Sequence, residues 1–114
     1  MYALLYGLKS ISPAALQHDA KAGALTVFDM NARARWEQAH VPGARHLPLD
    51  FGRADLPADA STPLVFYCSN LMCRKAPDAA RRARQMGFAD VKVMSAGISG
   101  WTGAGLPTEA LARG

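Results

Sequence analysis

Three short apolar runs, separated by segments that favour helices, constrain the fold of this chain more than any other feature of its sequence. The runs cover residues 25–29, 63–67 and 91–94, and they are rich in β-branched and aromatic side chains. Runs of this length and composition are typical of buried strands. Because strands and helices alternate along the chain, we predict an α/β fold with a mainly parallel sheet.

Residues that begin and end helices lie between these runs. Ser12, followed by a proline, is suited to the N-cap of a first helix, and Gly23 is suited to its end. Asn31 is a candidate cap for a second helix that continues to about residue 39. A third helix is predicted over residues 73–86, and the glycine-rich stretch near the end of the chain should hold a short helical turn around Trp101.

Length, charge and hydropathy narrow the class of protein. A chain of 114 residues is expected to form one domain over residues 1–114. Its net charge of +4 favours anionic partners, but its clustered arginines indicate a solvated helix face and not a surface for nucleic acid. No apolar run approaches the roughly 20 residues that a membrane span needs. The apolar start of the chain lacks the basic leader of a signal sequence, so we expect a cytoplasmic protein with no membrane partner.

The chemistry is expected in the loop that follows the second apolar run, where Cys68 comes directly after the strand. In a loop that curls onto a helix N-terminus, backbone N–H groups converge and bind anions. The helix dipole and Arg74 should lower the pKa of the Cys68 thiol, and the thiolate is the nucleophilic form. We therefore predict that Cys68 is catalytic and that the next six residues form an anion-binding loop: Ser69, Asn70, Leu71, Met72, Cys73 and Arg74.

The two cysteines admit other interpretations. Cys68 could be a buried structural cysteine, because free cysteines are among the most buried residues, although a strand end that opens into a polar loop argues against a core position. Cys73 could be a resolving thiol that attacks a persulfide or an oxidised Cys68, a packed residue without a role, or half of a zinc site. Zinc is disfavoured because none of the three histidines has a paired spacing near the cysteines, so no metal is expected; they are His18, His40 and His46.

Two segments on either side of the loop carry a family resemblance. Phe28-Asp29, followed by Trp36-Glu37-Gln38-Ala39-His40-Val41-Pro42-Gly43-Ala44, is similar to the first signature of the rhodanese-like domain. The segment 97–107, in which a glycine, a spaced Trp101 and Ala-Gly-Leu-Pro follow one another, is similar to the second signature. The chain thus resembles a single-domain member of that family over nearly its whole length.

The resemblance implies a sheet of about five mainly parallel strands, flanked by helices on both faces, and an active-site cysteine at Cys68. It also implies a sulfurtransferase that takes sulfane sulfur from a small anionic donor such as thiosulfate. Members of the family hold the sulfur as a cysteine persulfide and pass it to cyanide or to a thiol, which here includes a protein thiol. No cofactor is implied. By the same resemblance, His40 should have a structural role. Asp29 stands at a strand end, a position where acidic residues can be catalytic, but we expect it to have a structural, hydrogen-bonding role.

The loop departs from the family pattern and leaves two other functions open. The usual loop has six residues from cysteine to arginine, whereas here Cys73 stands at the sixth position and Arg74 follows it. With Arg74 as the loop arginine, the loop is one residue longer and resembles those of phosphatases and some arsenate reductases, which act on oxyanions. The bulky Leu71 and Met72 favour sulfur over a tetrahedral oxyanion. A non-enzymatic domain for binding or redox sensing is the third function.

Overall fold

The computed structural model describes residues 8–23 and 25–111. All strand pairs in its five-stranded sheet are parallel, and the strand order is β1-β5-β4-β2-β3. The strands are β1 (Lys9–Ser10), β2 (Thr26–Asp29), β3 (Arg45–His46), β4 (Leu64–Tyr67) and β5 (Val91–Val93). The helices are α1 (Pro13–Lys21), α2 (Arg33–Gln38), α3 (Lys75–Gln85) and α4 (Gly97–Gly103), with a 3-10 turn at Arg53–Asp55. The predicted α/β fold with a parallel sheet is confirmed.

Side-chain alternation along β4 divides the core between the two faces of the sheet. Leu64, Phe66 and Cys68 belong to one cluster of buried residues, whereas Val65 and Tyr67 belong to the other. Four alanines of α3 pack into the first cluster: Ala76, Ala79, Ala80 and Ala83. Leu16 of α1 and Trp101 of α4 pack into the second. Helices therefore cover both faces, which explains why β4 is buried at every position.

The predicted N-cap and terminating glycine of helix α1 are confirmed, whereas the predicted N-cap of α2 is wrong. The Ser12 hydroxyl oxygen accepts a backbone N–H of the first turn of α1 at 3.1 Å, and Gly23 adopts a φ of +74° just after the helix. Helix α2 begins at Arg33 without a side-chain cap. Asn31 is buried, and its own N–H donates to the carboxylate of Asp29 at 2.8 Å. The residue belongs to a hydrogen-bond network at the strand end and is therefore not the cap of α2.

Two edge strands and the start of α3 differ from the residue-based predictions. Strands β1 and β3 have two residues each, which is too short to give a periodic signal in the sequence. Helix α3 begins at Lys75 and not at residue 73, so Cys73 and Arg74 belong to the loop that precedes it. The loop after β4 therefore continues through Arg74, which agrees with the extent predicted for the anion-binding loop.

The predictions about membranes and targeting are tested only in part. None of the helices within residues 8–23 and 25–111 is long and apolar enough to cross a bilayer. The apolar start of the chain, which we expect not to be a signal sequence, covers residues 1–8, and all of it except Leu8 lies outside the described residues.

Candidate active site

Cys68 lies at the carboxyl edge of the sheet, directly after β4. The neighbouring strands end beside it, since Asp29 of β2 pairs with Tyr67 and Val93 of β5 pairs with Phe66. Because side chains alternate between the two faces along β4, the Cys68 side chain lies on the face that α3 covers. The residue is 3% exposed and packs within the core cluster of that face. The expectation that a strand end opening into a polar loop is not a core position is therefore wrong.

Cys68 and Cys73 are joined by a disulfide bond. Their Cα atoms are 6.4 Å apart, within the range of about 4.4–6.8 Å that a disulfide requires. Cys73 is half-buried and packs against the core cluster that contains Cys68. The bond closes a loop of only a few residues, so it restricts the unfolded chain less than a long-range disulfide does.

Asn70 shapes the loop between the two cysteines. Its carbonyl oxygen accepts the N–H of Cys73 at 3.1 Å, and its side-chain oxygen accepts the N–H of Met72 at 2.9 Å. The N–H groups of Ser69, Asn70 and Leu71 have no acceptor among the described residues. These three amides are therefore the part of the loop that is available to an anion.

Helix α4 fixes the other side of the loop. The N–H of Ile98 donates to the Cys68 carbonyl oxygen at 2.9 Å, and the N–H of Ser99 donates to the Ser69 carbonyl oxygen at 3.0 Å. Gly97 has a φ of +65°, and a Cβ atom built on it would lie 2.6 Å from the carbonyl carbon and oxygen of Ser69. Glycine is required at this position both for its conformation and for the close approach of the loop. The sequence signal for this contact is the glycine that opens the second signature, but its partner is not readable from the sequence.

A cavity of about 10 Å³ lies beside Cys68, with room for about one water molecule. Its lining residues come from the loop, α3 and the end of β5: Cys68, Asn70, Leu71, Cys73, Ala76, Pro77, Val93, Met94 and Ser95. Arg74 is exposed and is not among these described lining residues. Leu71 and Met72 form the loop tip and are 54% and 73% exposed. In the disulfide-bonded form, the cavity itself is smaller than an anion such as thiosulfate.

A buried carboxylate and a tyrosine lie on the opposite face of the sheet edge. Asp29 is fully buried and accepts hydrogen bonds from the Tyr67 hydroxyl at 2.6 Å and from the Asn31 N–H at 2.8 Å. The Tyr67 oxygen in turn accepts the N–H of Val41 at 3.1 Å. Burial, and next the Asp29 carboxylate, raise the pKa of Tyr67 far above its usual range, so the hydroxyl keeps its proton. This network joins β2, β4 and the turn after His40, in keeping with a structural role for Asp29.

His40 connects the first signature to the end of the described chain. Its ring is 4% exposed and stacks on Trp36, with ring centroids 4.6 Å apart. Its Nε2 atom lies 3.3 Å from a carboxylate oxygen of Glu109, and the two residues form an antiparallel backbone bridge. These contacts fit the structural role expected for His40. Within the part of the chain that the structure describes, no three His, Cys, Asp or Glu side chains converge as metal ligands.

Comparison with protein families matches residues 12–104 to the rhodanese-like domain. A curated relative, an HTH-type transcriptional regulator of Mycobacterium tuberculosis, is 35% identical over 103 residues. The match covers 88% of this chain and 44% of the regulator, so the chain spans less than half the length of that relative.

Two solved structures share the fold of this chain. A thiosulfate sulfurtransferase from Pseudomonas aeruginosa superimposes with a TM-score of 0.81 at 25% identity, over 90% of this chain and 19% of that one. A Rhodopseudomonas palustris protein described as a possible tyrosine phosphatase has a TM-score of 0.73 at 21% identity, over 90% of this chain and 88% of its own. At that identity the second likeness is one of fold alone. From the family match over residues 12–104 and the parallel five-stranded sheet, the chain belongs to the rhodanese-like domain family.

Proposed function

We propose that this domain is a sulfurtransferase that carries sulfane sulfur as a persulfide on Cys68. The observation that supports this most is the position of Cys68 at the end of β4, between three available loop amides and the N-terminus of α3. Amides and a helix N-terminus stabilise negative charge, which both the thiolate and the persulfide carry. The likeness to a thiosulfate sulfurtransferase adds support for thiosulfate, or a similar small anion, as the donor.

The reaction is two successive displacements. The Cys68 thiolate attacks the sulfane sulfur of thiosulfate, the S–S bond of the donor breaks, and sulfite leaves with the bonding electrons. Within the predicted anion-binding loop, from Ser69 to Arg74, the amides of Ser69, Asn70 and Leu71 hold the donor and then the persulfide. Cyanide or a thiol next attacks the terminal sulfur and removes it as thiocyanate or as a new persulfide. Cys68 is thereby returned to its thiolate form.

Reduction of the disulfide has to precede this reaction. In the disulfide-bonded form, the Cys68 sulfur is bonded to Cys73 and is not a thiolate, so it does not attack a donor. The cavity beside it holds only about one water molecule. We therefore expect sulfur transfer only from protein in which Cys68 and Cys73 are both free thiols.

Oxyanion chemistry is less well supported than sulfur transfer. A phosphatase-type loop needs its arginine at the bound anion, whereas Arg74 is exposed and does not line the described cavity at Cys68. A non-enzymatic redox domain has two observations in its favour. They are the Cys68–Cys73 disulfide and the 35% identity to part of a transcriptional regulator. In that function, formation of the disulfide would alter binding without catalytic turnover.

The test is thiocyanate production by the reduced protein from thiosulfate and cyanide. Wild-type protein should turn over repeatedly and Cys68→Ser should not. Equal thiocyanate production by the two proteins would refute the proposal. Hydrolysis of an aryl phosphate that depends on Cys68 would instead favour the oxyanion function. A reversible disulfide with no turnover on either substrate would favour the redox domain.

A further inference from the structure

We propose that Cys73 is the first acceptor at this site, and that it displaces the sulfur bound to Cys68 as hydrosulfide. This inference rests on the proposed function, because it requires a persulfide on Cys68. It assigns a second activity to the domain, namely reduction of the sulfane sulfur of thiosulfate by the cysteine pair.

The fold holds the two cysteines together through contacts that do not involve sulfur. Both oxygens of Asn70 accept loop N–H groups, those of Met72 and Cys73, and so turn the chain back toward Cys68. The two hydrogen bonds from α4 fix the Cys68 and Ser69 carbonyl groups. These contacts keep the Cα atoms of the cysteines at a separation of 6.4 Å, which permits a direct bond between their sulfurs. The loop therefore places the Cys73 sulfur within reach of the Cys68 Sγ atom.

Burial also favours Cys73 over an external acceptor. Cys68 is 3% exposed, whereas Cys73 is half-buried and lines the same cavity. In the disulfide-bonded form, which is the product of the proposed step, that cavity of about 10 Å³ is comparable in size to one small molecule such as hydrosulfide. An acceptor that is already part of the loop needs no further space.

The step balances as a thiol–disulfide exchange. The Cys73 sulfur attacks the Sγ atom of the Cys68 persulfide, and an S–S bond forms between the two cysteines. The bond from Sγ to the terminal sulfur breaks, and that sulfur leaves as hydrosulfide with the electron pair and the proton of the Cys73 thiol. The two cysteines are oxidised by two electrons, and the sulfane sulfur is reduced to sulfide. An external dithiol then reduces the disulfide and restores both thiols.

The experiment is a single turnover without an external acceptor. Reduced, desalted protein is mixed with one equivalent of thiosulfate, and sulfite, hydrosulfide and intact mass are measured for wild type, Cys73→Ser and Cys68→Ser. Wild type should release one sulfite and one hydrosulfide per chain and lose the mass of two hydrogen atoms. Cys73→Ser should release sulfite alone and retain one added sulfur atom. Cys68→Ser should release neither product.

The outcomes separate this inference from the proposed function. Wild-type protein that keeps the added sulfur, or Cys73→Ser that releases as much hydrosulfide as wild type, overturns the role of Cys73 and leaves sulfur transfer intact. No sulfite from either wild type or Cys73→Ser overturns sulfur transfer itself. Cys73→Ala is the second variant if Cys73→Ser fails to give the far-UV circular dichroism of the wild type.

Discussion

Replacement of Gly97 by alanine tests whether α4 holds the loop around Cys68. The new Cβ atom would lie 2.6 Å from the carbonyl group of Ser69 and 2.7 Å from the nitrogen of Asn70, and both neighbours are backbone. Displacing the backbone should destabilise the fold by about 1–3 kcal/mol. The φ of +65° should add about 1–2 kcal/mol for a residue with a Cβ atom. We expect Gly97→Ala to lower the free energy of unfolding by roughly 2–5 kcal/mol.

Gly105→Ala is the matched control for this prediction. Gly105 has a similar φ of +76°, but a Cβ atom there would have nothing within 4 Å. Its replacement should therefore carry only the conformational term, about 1–2 kcal/mol, and leave the rate of sulfur transfer close to wild type. Urea unfolding of the reduced variants gives the two free energies, and thiocyanate production gives the rates. Equal destabilisation by the two substitutions, or full activity in Gly97→Ala, would refute the argument that this contact positions the loop.

Three further predictions concern stability. Tyr67→Phe removes the hydroxyl that donates to the buried Asp29 carboxylate at 2.6 Å, so we expect urea unfolding to show a loss of about 2–3 kcal/mol; an unchanged midpoint would contradict this. Because the folded-state pKa of Tyr67 is raised, its contribution is complete below pH of about 10, and above that the free energy of unfolding should fall by about 1.4 kcal/mol per pH unit more in wild type than in Tyr67→Phe. Parallel alkaline profiles would show that reasoning to be wrong. The guanidinium group of Arg82 donates to the carbonyl oxygens of Leu49 and Phe51 at 2.6 and 2.5 Å and lies over the Phe51 ring. Arg82→Lys keeps the charge but loses this two-pronged donor, so we expect urea unfolding to show a loss of about 1–2 kcal/mol. Wild-type stability in this variant would contradict the prediction.

The sequence predicts the centre of this fold better than its edges. Strands β2, β4 and β5 are largely buried because helices cover both faces of the sheet, and this burial is visible as short runs rich in β-branched and aromatic residues. Lys9–Ser10 of β1 is exposed on both residues and carries no such signal. Its place at the edge depends on pairing with β5, a strand more than 80 residues later in the chain. Only the tertiary structure supplies that pairing.

The candidate active site also depends on long-range contacts that the sequence does not reveal. The position of Cys68 after a buried strand is readable from residues 63–68, but its burial is not. The loop path depends on hydrogen bonds from Ile98 and Ser99, about 30 residues away, and on the absence of a side chain at Gly97. Cys73 stands near Cys68 in the sequence, yet its direction is set by the two oxygens of Asn70. The short spacing in the sequence therefore indicates that the two cysteines lie near each other, but it does not predict how they pack.

The two hydrogen bonds from α4 have a consequence for the polarity of the loop. A trans peptide unit is planar, and its C=O and N–H bonds point in opposite directions. Because the Cys68 and Ser69 carbonyl groups both aim at α4, the N–H groups of the peptide units they share with Ser69 and Asn70 aim away from it. Helix α4 thus directs hydrogen-bond donors of the loop, and not carbonyl oxygens, toward the side on which the proposed function places the anion. If the proposed function is correct, small rotations of α4 should change the anion preference without any change in the residues that contact the anion.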